Sequence, residues 1–190
     1  MVTRRSTARS RLLPISTADL WDTIAAEAGR ESELWTAALR AREEQERDPI
    51  FSRLGEDRYS LGIETIYEGY LLHYARPRLF APEDEDTALL LGDYLYAHGL
   101  VRIEEVGSVQ AVNDLAELIA LCAYLRAEGI PGDGAVWAAT ASLLGRGELD
   151  DGRSSLRLDN DRGPLERLAR THAGDAAVDR ALASHGERLR

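Results

Sequence analysis

The chain has no lysine and a single cysteine, Cys122. All of its basic side chains are arginine, and they are outnumbered, leaving a net charge of −10. A chain this acidic does not offer the concentrated positive field that phosphate binding needs, so a nucleic-acid partner is not expected. One cysteine within an apolar stretch cannot build a disulfide framework and reads as a small buried hydrophobe. Apolar runs long enough to cross a bilayer are missing. So are the period-two alternation and clustered β-branched residues of strands. The familiar catalytic signatures are missing too: HExxH, CxxC, GxSxG, GxGxxG and the glycine-rich phosphate loop. Cytoplasmic localisation and no cofactor are the resulting expectations.

What is present is helical periodicity. Hydrophobic residues make up 44% of the 190, enough for a core. Residues 1–15, with Arg4, Arg5, Arg9 and Arg11, read as a disordered basic tail. Ser16 or Thr17 starts a helix that runs to about Ala28. A second is expected over Glu31–Arg47 and a third over Arg58–Tyr74. The third has apolar residues around much of its circumference and should be largely buried. The fourth spans Asp84–Val106, with Glu83, Asp84, Glu85 and Asp86 favouring its N-terminus. Gly107 and Ser108 separate it from a fifth ending at Gly129, and a sixth covers Ala135–Leu144. Residues 146–162 read as a polar linker and 163–190 as a weakly docked helical tail, with a thin stripe of Leu165, Leu168, Val178 and Leu182. The expectation is an all-α bundle of about six helices, its domain covering residues 16–145.

Polar groups on apolar helices are the candidates for chemistry. Glu64 and Glu68 share a face of the third helix, four residues apart. His73 follows near its end. Asp93 and His98 sit on the fourth helix, Asp93 between Leu91 and Tyr94 in the most apolar run of the chain. A buried carboxylate must be paired, and Arg76, Arg78, Tyr67 or Tyr70 could serve Asp93. The set Glu64, Tyr67, Glu68, Tyr70, Leu71, His73, Asp93 and His98 then describes either a structural hydrogen-bond network or a polar pocket for an apolar ligand. No catalytic residue or metal ligand is assigned. Four adjacent acids at a helix start point in different directions and do not converge on one ion.

The run Leu89–Leu100, LLLGDYLYAHGL, followed by AVNDLAELIALCAYLRAEG, resembles the middle of the trans-isoprenyl diphosphate synthases. Gly92, Asp93, Tyr94, Leu95, Ala97, Glu128 and Gly129 carry the likeness, which covers about 45 residues. The resemblance implies an isoprenoid-synthase-like core. The family's DDxxD motif is absent from the region holding Glu64 and Glu68, its basic diphosphate grip is absent, and Asp150-Asp151 falls in the expected linker. Those departures imply a shortened, non-catalytic relative. It would act as a partner or regulatory subunit of a prenyl or quinone-pathway enzyme, pairing with itself or a related subunit through residues 84–129. The alternatives are a helical-pocket enzyme or apolar-ligand binder using Glu64, Glu68, Asp93 and His98, and a plain helical scaffold.

Overall fold

The computed structural model describes residues 17–189; the expected basic tail and the cap at Ser16 lie outside them. Nine helices occur among the described residues. They are α1 Thr17–Glu31, α2 Glu33–Ala37, α3 Ser60–Tyr74, α4 Glu85–Val106, α5 Val109–Glu128, α6 Asp133–Leu143, α7 Asp150–Asp159, α8 Gly163–Ala173 and α9 Asp175–Arg188. Short 3-10 turns occupy Arg42–Glu44, Ser52–Leu54 and Asp57–Tyr59.

Two helices are buried on every side and organise the rest. Every residue of α3 from Gly62 to Leu72 is buried, as is every residue of α6. Each has neighbours all round, so its sequence shows little one-sidedness. One apolar cluster joins α3 to α5, α6, α7, α8 and α9 through Ile63, Tyr67, Leu115, Val136, Leu156, Leu165 and Val178. A second cluster, with Trp21, Ile24, Trp35, Leu79, Phe80 and Leu95, seats α1 and α2 against α3 and α4.

Glycine sets the α3–α4 contact. Gly62 and Gly69 are seven residues apart, as are Gly92 and Gly99, so each pair marks one face of its helix. A Cβ on Gly69 would stand 2.9 Å from the Gly92 carbonyl oxygen, and one on Gly62 would meet Ile103 at 2.6 Å and the Gly99 carbonyl at 3.2 Å. The helices therefore run antiparallel, and their backbones come closer than any larger side chain permits. The expected caps are found. The Asp84 carboxylate accepts from Thr87 N (2.7 Å), and Ser108 Oγ accepts from Ala111 N (3.3 Å). Gly129 closes α5 at φ 66°, a left-handed conformation that glycine adopts without strain.

Three expectations are corrected. The second helix does not reach Arg47: α2 has only five residues and ends at Ala37. Beyond it Leu39 bridges Phe80, Arg40 N donates to Leu79 O (2.9 Å), and Ala81 N donates to Ala38 O (2.7 Å). Pairing with the 78–81 segment overrides helix propensity there. The expected linker contains α7, which buries Gly152, Arg153 and Leu156. The expected weak tail is part of the core: Leu165, Ala169, Val178 and Ala181 are buried, with His185 and Arg188.

Candidate functional site

The eight sequence-selected residues do not line one pocket. The structure distributes them over four places.

Glu64 and Glu68 form the first, and both are fully buried. Glu64 Oε1 accepts from the backbone N–H groups of Ile50 and Ser52, both at 3.0 Å, and its Oε2 from Arg78 Nη1 at 2.6 Å. Glu68 Oε1 accepts from Arg78 N (2.8 Å) and Leu79 N (2.7 Å), and its Oε2 from Arg78 Nε (3.0 Å). The Arg78 guanidinium is itself fully buried, with the Trp21 ring 4.5 Å and the Tyr67 ring 4.9 Å from its central carbon. Each carboxylate oxygen is thus used. The set ties the 50–52 and 78–79 segments to α3, and buried charges survive because they are paired and hydrogen-bonded.

The second place lies one helical turn on. Tyr67 and Tyr70 join Asp133 at the start of α6, Arg126 of α5 and His185 of α9. Tyr70 donates its hydroxyl to Asp133 Oδ2 and accepts from Arg126 Nη2 (2.6 Å) and Nε (3.0 Å). Arg126 also pairs with Asp133. His185 Nε2 stands 3.6 Å from Asp133 Oδ2, and its Nδ1 is 2.9 Å from the Tyr67 hydroxyl. The carboxylate favours the proton on Nε2, which leaves Nδ1 to accept from Tyr67. Phe51, Tyr67 and Tyr70 pack around the His185 ring, and Trp137 packs on all three of them. Burial raises the Asp133 carboxyl, but the His185 and Tyr70 donors and the Arg126 charge outweigh it and hold the group below its ordinary range. Burial pushes both tyrosine hydroxyls far up, so they stay protonated donors. Leu71, next to Tyr70, is a fully buried core residue.

His73 and Asp93 form the third. Asp93 is not the buried carboxylate its apolar neighbours suggest: its side chain is 74% exposed. It lies on the outward face of α4, and its partner is His73, Nε2 to Oδ1 3.2 Å, rather than an arginine or tyrosine. The His73 ring stacks on Tyr96 at 5.0 Å, and burial lowers its pKa. His98 is the fourth, 3.2 Å from Glu27 of α1 and stacked on Tyr94. Arg102 pairs with the same glutamate, so this trio fastens α1 to α4.

Sequence reasoning missed Asp114, which is fully buried on α5. It accepts from Gly145 N (2.9 Å) and Arg153 Nη1 (3.2 Å). It also missed Asp133, hidden in a segment that reads as a turn, and His185, hidden in an assumed tail. Spacing alone could have found His185: Val178, Ala181, His185 and Arg188 follow one another by three, four and three residues, one helical face with two polar members.

Around these clusters the outer surface of the α4–α5 pair is unusual. Seven large apolar side chains are exposed among the described residues, and five of them, Leu89, Leu90, Val101, Val109 and Tyr124, lie on α4 and α5. No helix among the described residues is long and apolar enough to cross a membrane. Comparisons with protein-family models, with curated proteins and with solved structures find no match to this chain.

Proposed function

We propose that the protein is a non-catalytic helical partner subunit that binds another protein through the outward face of α4 and α5. One observation carries this reading: the concentration of exposed apolar side chains on that pair, with Leu90 59%, Val101 55% and Val109 88% exposed. An exposed apolar face is costly to leave in water and is usual at interaction sites. The chemical candidates point the same way. Glu64 and Glu68, the carboxylates a helical-pocket reaction would draw on, are consumed by Arg78 and four backbone N–H groups. Asp93 and Tyr94 of the GDYL run lie on the outer side of α4, and the run's likeness to the trans-isoprenyl diphosphate synthases makes a prenyl synthase subunit the first partner to try. A photo-crosslinking residue at position 101 or 124 should give one discrete adduct in cells, and the same residue at Leu158 should not. Equal labelling at all three sites sinks the reading. Chain elongation by the purified protein with Mg²⁺, isopentenyl diphosphate and an allylic diphosphate would sink its non-catalytic part.

A second reading is favoured by a groove of about 790 Å³ where α3, the 75–77 segment, α4 and α9 meet. Leu72, Ala88, Leu89 and Leu189 give it apolar walls, and Arg76 and His73, the latter paired with Asp93, supply its polar lining. An apolar ligand with one polar group fits such walls. Binding of a fluorescent fatty acid that Ala88→Trp leaves undiminished would eliminate this reading.

A further inference from the structure

α4 carries two apolar stripes. The inner one, Leu91, Leu95 and Ile103, is buried with Gly92 and Gly99 toward α3. The outer one is Leu90, Tyr94, Ala97 and Val101, at spacings of four, three and four. That spacing returns to one side of a helix every second turn and is the pattern of a helix–helix seam. Leu90, Ala97 and Val101 are exposed, and Tyr94 is half-buried beside Trp35.

The seam is flanked by acids. At about 100° per residue, Asp86, Asp93 and Glu104 fall within roughly 60° of the stripe on one side, and Glu105 flanks it on the other. All four are exposed. From Glu83 to Glu128 the chain has ten carboxylates and two arginines, a balance of −8 in a chain of −10. Neither arginine forms an ion pair with these acids, although Arg102 feels the charge of Glu105 and Asp93 has the His73 ring at 3.2 Å. Arg102 is turned onto Glu27, and Arg126 onto Asp133 and Tyr70. His98 is likewise held by Glu27.

We infer that the outer seam of α4 receives a basic amphipathic helix, with apolar residues on Leu90, Ala97 and Val101 and Lys or Arg opposite Asp86, Asp93 and Glu104. This rests on the reading of the α4–α5 face as an interface and adds the chemistry of its partner. Flanking charges decide which helices pair across such a seam. A second copy of this chain would place acid against acid along the whole stripe, which disfavours self-pairing.

The test uses the full chain and two synthetic peptides of about 20 residues, long enough to support a helix. Both carry leucine at seam spacing; one has lysine flanks and the other glutamate flanks. Binding is read by fluorescence anisotropy. The lysine peptide should bind at least about tenfold more tightly, with the advantage shrinking between about 50 and 300 mM salt. The variant Asp86→Arg, Asp93→Arg, Glu104→Arg should reverse the preference, and Val101→Glu should weaken the lysine peptide by about tenfold or more. Circular dichroism confirms that each variant is folded. Equal affinity for the two peptides, or a preference the triple variant does not change, overturns the basic partner and leaves the interface reading to the crosslinking experiment. A homodimer broken by Val101→Glu in sedimentation overturns the basic partner while supporting the interface. Binding of neither peptide overturns the inference outright.

Discussion

Gly69 lies so close to Gly92 that a Cβ on the first would sit 2.9 Å from the carbonyl oxygen of the second. A backbone oxygen inside a helix cannot step aside as a side chain can. Gly69→Ala should therefore destabilise the fold by about 1–3 kcal/mol, although alanine is the better helix former. Urea denaturation checks this. A variant more stable than the parent would show that the two helices can slide apart at little cost.

Arg78 pairs with two buried carboxylates while its own backbone N–H caps one of them. Arg78→Met leaves Glu64 and Glu68 buried without a counter-charge and should cost about 3–5 kcal/mol. Arg78→Lys should cost nearly as much, because an ammonium cannot reproduce the two directions served by Nε and Nη1. A near-neutral lysine variant in the same denaturation experiment would reduce the site to a simple charge balance.

Asp133 binds its proton less tightly folded than unfolded. Unfolding then takes up a proton in the range below the ordinary carboxylate value of 3.8. The stabilisation is complete above that range and drains away as the pH falls through it. Asp133→Asn should lose about 1.5–3 kcal/mol at neutral pH. It should also flatten the acid limb of the stability curve below about pH 4. An acid limb as steep as the parent's would mean that other carboxylates govern acid unfolding.

His73 is depressed for a different reason: burial penalises its charged form, against the pull of Asp93. The unfolded ring protonates near 6.5 and the folded one only at lower pH. Stability from this group is thus whole above about pH 6.5 and lost as acid is added below it. His73→Phe keeps a ring against Tyr96 and removes the titration. The difference in stability between parent and variant should change as the pH falls below about 6.5 and level off above it. A pH-independent difference would mean that Asp93 keeps the ring's affinity for protons unchanged.

Much of the framework could be read from the chain. α3, α4, α5 and α6 declare themselves by apolar spacing, and Asp84, Ser108 and Gly129 end them where their chemistry predicts. What escaped was whatever depended on a distant partner. α7 needs only Gly152, Arg153 and Leu156 to dock, and two of those look like linker residues until Leu165 and Asp114 stand opposite them. The stripe of α9 looks thin because His185 and Arg188 are polar; Tyr67 and Glu46 make them fit for burial. Asp93 misled in the opposite sense. Apolar neighbours in a helix belong to different faces, and Leu91 and Tyr94 say nothing about the direction of the residue between them. The candidate set also mixed residues from one helix face with residues from another. Glu64 and Glu68 reach the 78–79 segment, whereas Tyr67 and Tyr70 reach α6 and α9.

The link from Tyr67 to His185 joins residues 118 apart, and that from Glu46 to Arg188 residues 142 apart. α3 and α4 can form their glycine contact within a much shorter stretch of chain. During synthesis the α3–α4 pair can therefore assemble early, with the tyrosine side of α3 still bare. Only once α9 has left the ribosome can it cover Tyr67 and complete the charge pair with Glu46. Loops of this length close slowly, so the late arrival of α9 should set the pace of maturation, and the waiting intermediate is the form that a chaperone would meet.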